Sequence, residues 1–224
     1  MLEHLPLSVS LLFGLTVVLT LVGFSLAIRS KGFLVVAIGW IALQSFLGLK
    51  GVFLNTEAMP PRLMLMGVLP ALGMIAVTFA TPQGRRLIKG MNLQMLTYFH
   101  AIRIPVEIVL FMLFTLKVMP VNLTFEGTNF DIISGVSAIL IGILAFRPGK
   151  TNISLLVIWN VLCLLLLLNV VITAIFSIPS PFQKLAFDQP NIAVLYFPFC
   201  LLPTFIVPLV LFAHLAAFWR LRAR

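Results

Sequence analysis

Seven long stretches of this chain are almost free of charge, and that pattern fixes its solvent. A helix needs about 20 mostly apolar residues to cross roughly 30 Å of hydrocarbon. Runs of this kind occupy residues 5–28, 33–53, 63–80, 93–116, 132–146, 153–177 and 192–219, separated by charged or Pro/Gly-rich breaks. The fifth is short and is expected to begin a few residues earlier; the seventh is long, with soft boundaries. Of the 224 residues 61% are hydrophobic and 9% charged, against about 25% charged in an average soluble domain. A globule of this size has too little interior to hide so much apolar surface. The expected fold is all-α: one integral membrane domain over 1–224, a polytopic bundle of seven transmembrane helices. A secreted disulfide scaffold, a disordered chain and a cytosolic enzyme are excluded.

Orientation follows from the basic residues, which cytoplasmic loops retain. With the N-terminus outside, the cytoplasmic side holds Arg29, Lys31, Arg85, Arg86, Lys89, Arg147, Lys150, Arg220, Arg222 and Arg224. The outer side holds only Lys50, Arg62, Lys117 and Lys184, and Arg103 falls within a span. The acids segregate the opposite way, Glu3, Glu57, Glu126, Asp131 and Asp188 outside and Glu107 alone within a span. The expected placement is therefore N-terminus outside, C-terminus cytoplasmic. The same segregation accounts for the net charge of +9. These residues flank spans and meet anionic lipid, with no fold to present a groove-reading element, so membrane lipids are expected partners and nucleic acid is not.

The first run has Glu3 in place of a basic n-region, is too long for a signal peptide and lacks a small-x-small cleavage site, so it is expected to persist as a span. The longest loops, 117–131 and 178–191, are too short for a soluble domain, which puts any chemistry in the bundle or at its outer mouth. No internal repeat of the inverted-transporter kind is evident. Cys163 and Cys200 lie at different depths, about 15 and 28 Å, and read as packing residues, not a disulfide. Asn122-Leu-Thr124 matches a glycosylation sequon, a weak signal at three residues.

The informative segment is the fourth run, Thr97-Tyr-Phe-His-Ala-Ile-Arg-Ile-Pro-Val-Glu107. At about 100° per residue, Thr97, His100, Arg103 and Glu107 form one polar stripe. A charge at the bilayer centre costs about 2.5–3.5 kcal/mol on insertion scales, so neither Arg103 nor Glu107 should face lipid. Four residues apart, the two can pair. Pro105 removes a donor to the carbonyl of Ala101 and should kink the helix beside Arg103. A polar cavity with a titratable carboxyl and a histidine is one reading; a structural ion pair is the other.

Depth along the helices selects further members. At about 1.5 Å per residue, His100, Asn160 and His214 lie about 6–11 Å from the cytoplasmic edge. Gln44 and Arg103 lie at about 15–17 Å, and Glu107 and Asn169 at about 21–24 Å. Asn160 and Asn169 point about 180° apart, so one of them is expected to bond between helices instead. His100 and His214 share a level, as haem or metal ligands would, but lack further ligands at i+3 or i+4; hydrogen-bonded histidines and no cofactor are the expectation. In the seventh run Pro198, Pro203 and Pro208 preclude one straight helix. Either the segment bends repeatedly, or an irregular stretch descends before a regular helix starts near Pro208. Glu126, Asn129, Asp131 and Asp188 in the outer loops either form turns, with Asp131 capping the fifth helix, or make an acidic vestibule above Glu107.

His100-Ala-Ile-Arg-Ile-Pro-Val-Glu107, Phe125-Glu-Gly with Asn129-Phe-Asp131, Trp159-Asn160, and Ser180-Pro-Phe-Gln183 with Asp188-Gln-Pro-Asn191 resemble a group of small multi-pass bacterial membrane proteins of uncharacterised function. The resemblance covers most of the chain after the first span and implies a bacterial inner-membrane protein, without an activity. Other families fit less well: the last span has no lysine for retinal, His214 has no His-x-x-x-His partner, and Ser134-Gly-Val-Ser137 is not a rhomboid-type motif.

Three functions remain. The first is binding or passage of a small solute or protons at Gln44, His100, Arg103, Glu107, Asn160 and His214, with Arg103 anchoring negative charge and Glu107 and His100 exchanging protons. The second is an enzyme acting on a lipid or isoprenoid, with His100 or Glu107 as base, although a nucleophile, metal set and phosphate motif are missing. The third is an accessory subunit whose stripe merely joins helices.

Overall fold

A computed structural model describes residues 5–222. Glu3 and Arg224, assigned above to opposite faces, lie outside the described residues. Helices α1 (Leu7–Ile28) and α2 (Lys31–Leu49) are separated by Arg29, which takes a left-handed φ of 54°, and by Ser30, whose hydroxyl accepts from the Phe33 amide at 3.3 Å. These two residues turn the chain back on itself. A π-helical turn, Met64–Val68, leads into α3 (Leu69–Ala80), and α4 (Pro82–Gly90) leaves it at 89°. Thr81-Pro82 causes that bend: the threonine caps α4 through the Gly84 amide at 3.2 Å, and proline is suited to a first helical turn.

The fourth run is broken as its proline requires. Helix α5 (Leu93–Phe99) tightens to a 3₁₀ turn at His100–Ile102 before α6 (Arg103–Thr115). Helix α7 (Asp131–Leu144) is short and ends in a two-residue hairpin, β1 (Phe146–Arg147) paired antiparallel with β2 (Lys150–Thr151). Helix α8 (Ile153–Ser177) is the longest. The seventh run resolves in favour of the irregular descent: a 3₁₀ turn at Ala193–Leu195, a π-turn at Leu202–Ile206, then α9 (Val207–Arg222).

Five helical stretches are long and apolar enough to cross a membrane: Leu7–Ile28, Lys31–Leu49, Leu93–Thr115, Ile153–Ser177 and Leu202–Arg222. The bent pair Met64–Ala80 and Pro82–Gly90 raises the number to six, and Asp131–Leu144 is apolar but shorter. The third run thus reaches that length only together with the bent α4, and the fifth forms a shorter helix.

Helix α9 is the centre of the molecule. Phe212, Ala213, His214, Ala216 and Ala217 are all buried, so nearly every face of it meets protein. Its alanines permit close approach by neighbours, as small residues do between membrane helices. Phe24 on α1 packs its ring against Phe99 at 5.2 Å and Phe212 at 5.5 Å, joining α1, α5 and α9.

One local device occurs twice, and the sequence reading did not find it. Pro60 and Pro198 each precede a π-turn by four residues, and Pro70 and Pro208 lie ten residues further along. Pro70 and Pro208 lack the amide that would donate four residues back, and the carbonyls so freed accept from side chains on α2 instead, Met66 from Gln44 Nε2 at 3.0 Å and Thr204 from Trp40 Nε1 at 2.8 Å. The two turns pack on each other at Gly67 and Thr204: a Cβ on Gly67 would lie 2.3 Å from Thr204 Cγ2.

Candidate functional site

Arg103 is the first residue of α6, 2% exposed, and four elements converge on it. Its Nη1 donates to Asp131 Oδ1 at 2.8 Å and to the Cys163 carbonyl at 3.2 Å; its Nη2 donates to His214 Nε2 at 2.9 Å. The guanidinium therefore bridges α6 to α7, α8 and α9. The expected pairing with Glu107 is not made. Arg103 pairs with Asp131 instead, because the 3₁₀ turn directs it at α7 and because Gly135 lets α7 come close: a Cβ there would lie 2.8 Å from Ile104 Cγ1.

Donor chemistry fixes the histidine next to it. Arginine only donates, so His214 Nε2 must accept, and its proton therefore sits on Nδ1. That Nδ1 lies 2.9 Å from Asn160 Oδ1, an acceptor, and Asn160 Nδ2 donates to the Leu156 carbonyl at 2.8 Å. Donation thus runs outward from Arg103 on both sides, directly to Asp131 and through His214 to Asn160. His100 stacks on His214 with centroids 4.0 Å apart and meets Trp159 edge-on at 5.4 Å. Its Nδ1 is buried without a partner. Because both His214 nitrogens are occupied, His214 has no free lone pair for a metal, and among the described residues no group of three His, Cys, Asp or Glu could hold one.

Glu107 lies one turn along α6, 1% exposed. Its Oε1 accepts from Asn129 Nδ2 at 2.7 Å, while its Oε2 is buried without a partner. Asn129 also accepts from the Asp131 amide at 2.9 Å and donates to the Leu123 carbonyl at 3.0 Å. The first amide of α7 is thus satisfied by Asn129, and the N-cap position is Phe130, not Asp131. Asp131 serves the interior, where Ser134 Oγ adds a bond to Oδ1 at 3.3 Å.

Arg103, Glu107 and Asp131 border a cavity of about 120 Å³ whose remaining wall is almost wholly aliphatic. It lies between the π-turns, α6, α8 and the start of α9. Asn191 also borders it, 1% exposed, with neither side-chain Oδ1 nor Nδ2 bonded.

The structure thus brings together His100, Asn160 and His214, which the depth argument put at one level, and joins to them Arg103, which it put at the level of Gln44, and Asp131. Gln44 lies apart on α2, buried, with Nε2 donating to the Met66 carbonyl at 3.0 Å. Asn169 is exposed and donates to the Thr128 carbonyl in the loop before α7 at 2.9 Å; the bond between helices is made by Asn160, with His214 at 2.9 Å. The four outer-loop residues do not form one surface: Glu126 and Asp188 are exposed, whereas Asn129 and Asp131 are buried. Asp131, expected with the acids of the outer loops, is the first residue of α7 and turns inward to Arg103. Asn191 was missed because nothing local marks a loop asparagine as buried. Cys163 and Cys200 are free and buried.

Comparison with curated proteins and with solved structures finds no match. The family model described as "Domain of unknown function (DUF8737)" matches residues 60–222, a stretch that holds the entire Arg103 and Glu107 site, and the chain belongs to that family.

Proposed function

We propose that this protein is an integral membrane protein that binds or passes a small solute or protons at the cavity beside Glu107. The observation that carries the reading is the second oxygen of Glu107, buried without a partner at the edge of a 120 Å³ void. A buried polar atom without a hydrogen bond is costly and rare in native structures, so a mobile occupant is the simplest source of the missing bond. Intramembrane ionisable residues are also functional sites by default. In this reading the chain crosses the membrane seven times, with α7 as a short crossing, N-terminus outside and C-terminus cytoplasmic, in a bacterial inner membrane. Arg29, Lys89 and Arg220 border one shared depression, as residues on a single face should.

A second reading has its own support. Arg103 joins four helices through Asp131, Cys163 and His214, as a structural clamp in an accessory subunit would. The two roles separate by residue: Arg103 holds the bundle, and Glu107 faces the occupant.

The test is reconstitution in liposomes with a trapped pH indicator, beside thermal denaturation in lipid nanodiscs. The denaturation panel comprises acetate, phosphate, ammonium, glycerol and ten-carbon amphiphiles. An acid-driven proton flux, or stabilisation by at least one compound, is expected, and Glu107→Gln or the cavity-filling Val171→Trp should reduce it. No flux and no stabilisation by any member would overturn the proposal.

A further inference from the structure

We infer that the occupant of the cavity is an uncharged amphiphile with a hydroxyl head and an aliphatic chain, a long-chain alcohol in chemical class. This rests on the binding reading above and narrows it. The head group follows from the groups that lack partners. Asn191 offers a donor and an acceptor together, Arg103 Nε offers a further donor, and Glu107 Oε2 offers an acceptor as a carboxylate or a donor as an acid. A hydroxyl donates once and accepts twice: it accepts from Asn191 Nδ2, and it donates to Glu107 Oε2 when that group is a carboxylate, or to Asn191 Oδ1 when Glu107 is an acid that itself donates. An ammonium cannot accept, and a carboxylate cannot donate.

Charge points the same way. The cation at the cavity, Arg103, is neutralised by Asp131 at 2.8 Å, and its Nη atoms are both bonded within the protein, which leaves Nε as a single donor without a counter-charge to spare. An anionic head would meet Asp131 and Glu107 with no free counter-charge, and burying an unpaired charge is costly. The chain follows from the wall. Leu110, Leu167, Val171, Ile175, Ile206 and Val210 present hydrocarbon, and Val171 and Ile175 on α8 are only half-buried, so the apolar end reaches the flank of the bundle where lipid chains lie. An apolar wall with a few convergent polar groups is the usual form of a small-molecule site.

The experiment compares three probes of equal chain length, 1-decanol, decanoate and decylammonium, added to the full-length protein in nanodiscs. Decanol should raise Tm saturably. Glu107→Leu and Asn191→Leu, each checked for a native circular dichroism spectrum, should weaken that effect about tenfold or more, as loss of a buried hydrogen bond does. Val171→Trp should abolish it, which separates the cavity from general effects of decanol on the bilayer. If decanoate or decylammonium stabilises as well as decanol, or if only the short solutes do, the inference is wrong while the binding site stands. If decanol acts equally on wild type and on Val171→Trp, the inference is likewise wrong. If nothing stabilises and no flux is seen, both fall.

Discussion

Replacing Asp131 by asparagine tests which acid balances the buried arginine. The substitution keeps the shape and one oxygen, and removes the charge facing Arg103 Nη1 at 2.8 Å. Arg103 is 2% exposed, so water cannot take over. Removing one partner of a buried pair costs about 3–5 kcal/mol. The neutral hydrogen bond that asparagine retains offsets about 0.5–1.5 kcal/mol. The net loss is about 2–4 kcal/mol, or roughly two orders of magnitude in the unfolding constant. Glu107→Gln should cost under about 1 kcal/mol, because an amide oxygen still accepts from Asn129 and the other end faces the cavity. Arg103→Met combined with Asp131→Asn should cost less than the two single losses together, since neither charge is then left unpaired. The assay is reversible unfolding in mixed micelles, followed by tryptophan fluorescence; Trp159 lies 6.3 Å from the His214 ring and reports on the site. A loss in Glu107→Gln equal to that in Asp131→Asn would restore the i, i+4 pair and refute the assignment. Strict additivity in the cycle would refute it too.

Three further outcomes are expected. Gly67→Ala should destabilise by about 1–3 kcal/mol through overpacking, and Thr204→Ser, which removes the Cγ2 lying 2.3 Å from the new Cβ, should recover much of the loss; failure of that rescue would discount the contact between the π-turns. Nitrogen-15 NMR should find His214 protonated at Nδ1 and unprotonated at Nε2; the opposite tautomer would break the direction of the hydrogen-bond chain. In whole cells a membrane-impermeant thiol reagent should label Glu57→Cys and Glu126→Cys, both at exposed positions, but not Arg85→Cys; the reverse pattern would invert the topology.

The helical fold was legible because apolar runs in so basic a chain leave few alternatives, and the break at Pro105 and the start of α9 near Pro208 follow from proline's missing amide. The shared level of His100, Asn160 and His214 was legible as well, since rise per residue is nearly constant along a helix. Helical periodicity on one segment could say that Arg103 and Glu107 share a face; it could not say which neighbour each would meet. Asp131 is 28 residues from Arg103, and their pairing depends on Gly135 admitting α7 to contact with the 3₁₀ turn. The burial of Asn191, the separation of Gln44 and the cavity itself are likewise decided by how helices pack. The sequence by itself determined the apolar helices and the breaks at Pro105 and before Pro208, because these depend on local hydropathy and backbone chemistry. Only the tertiary structure decided the partners, because a charge buried in this chain is balanced by whatever the packing brings within a few ångströms of it.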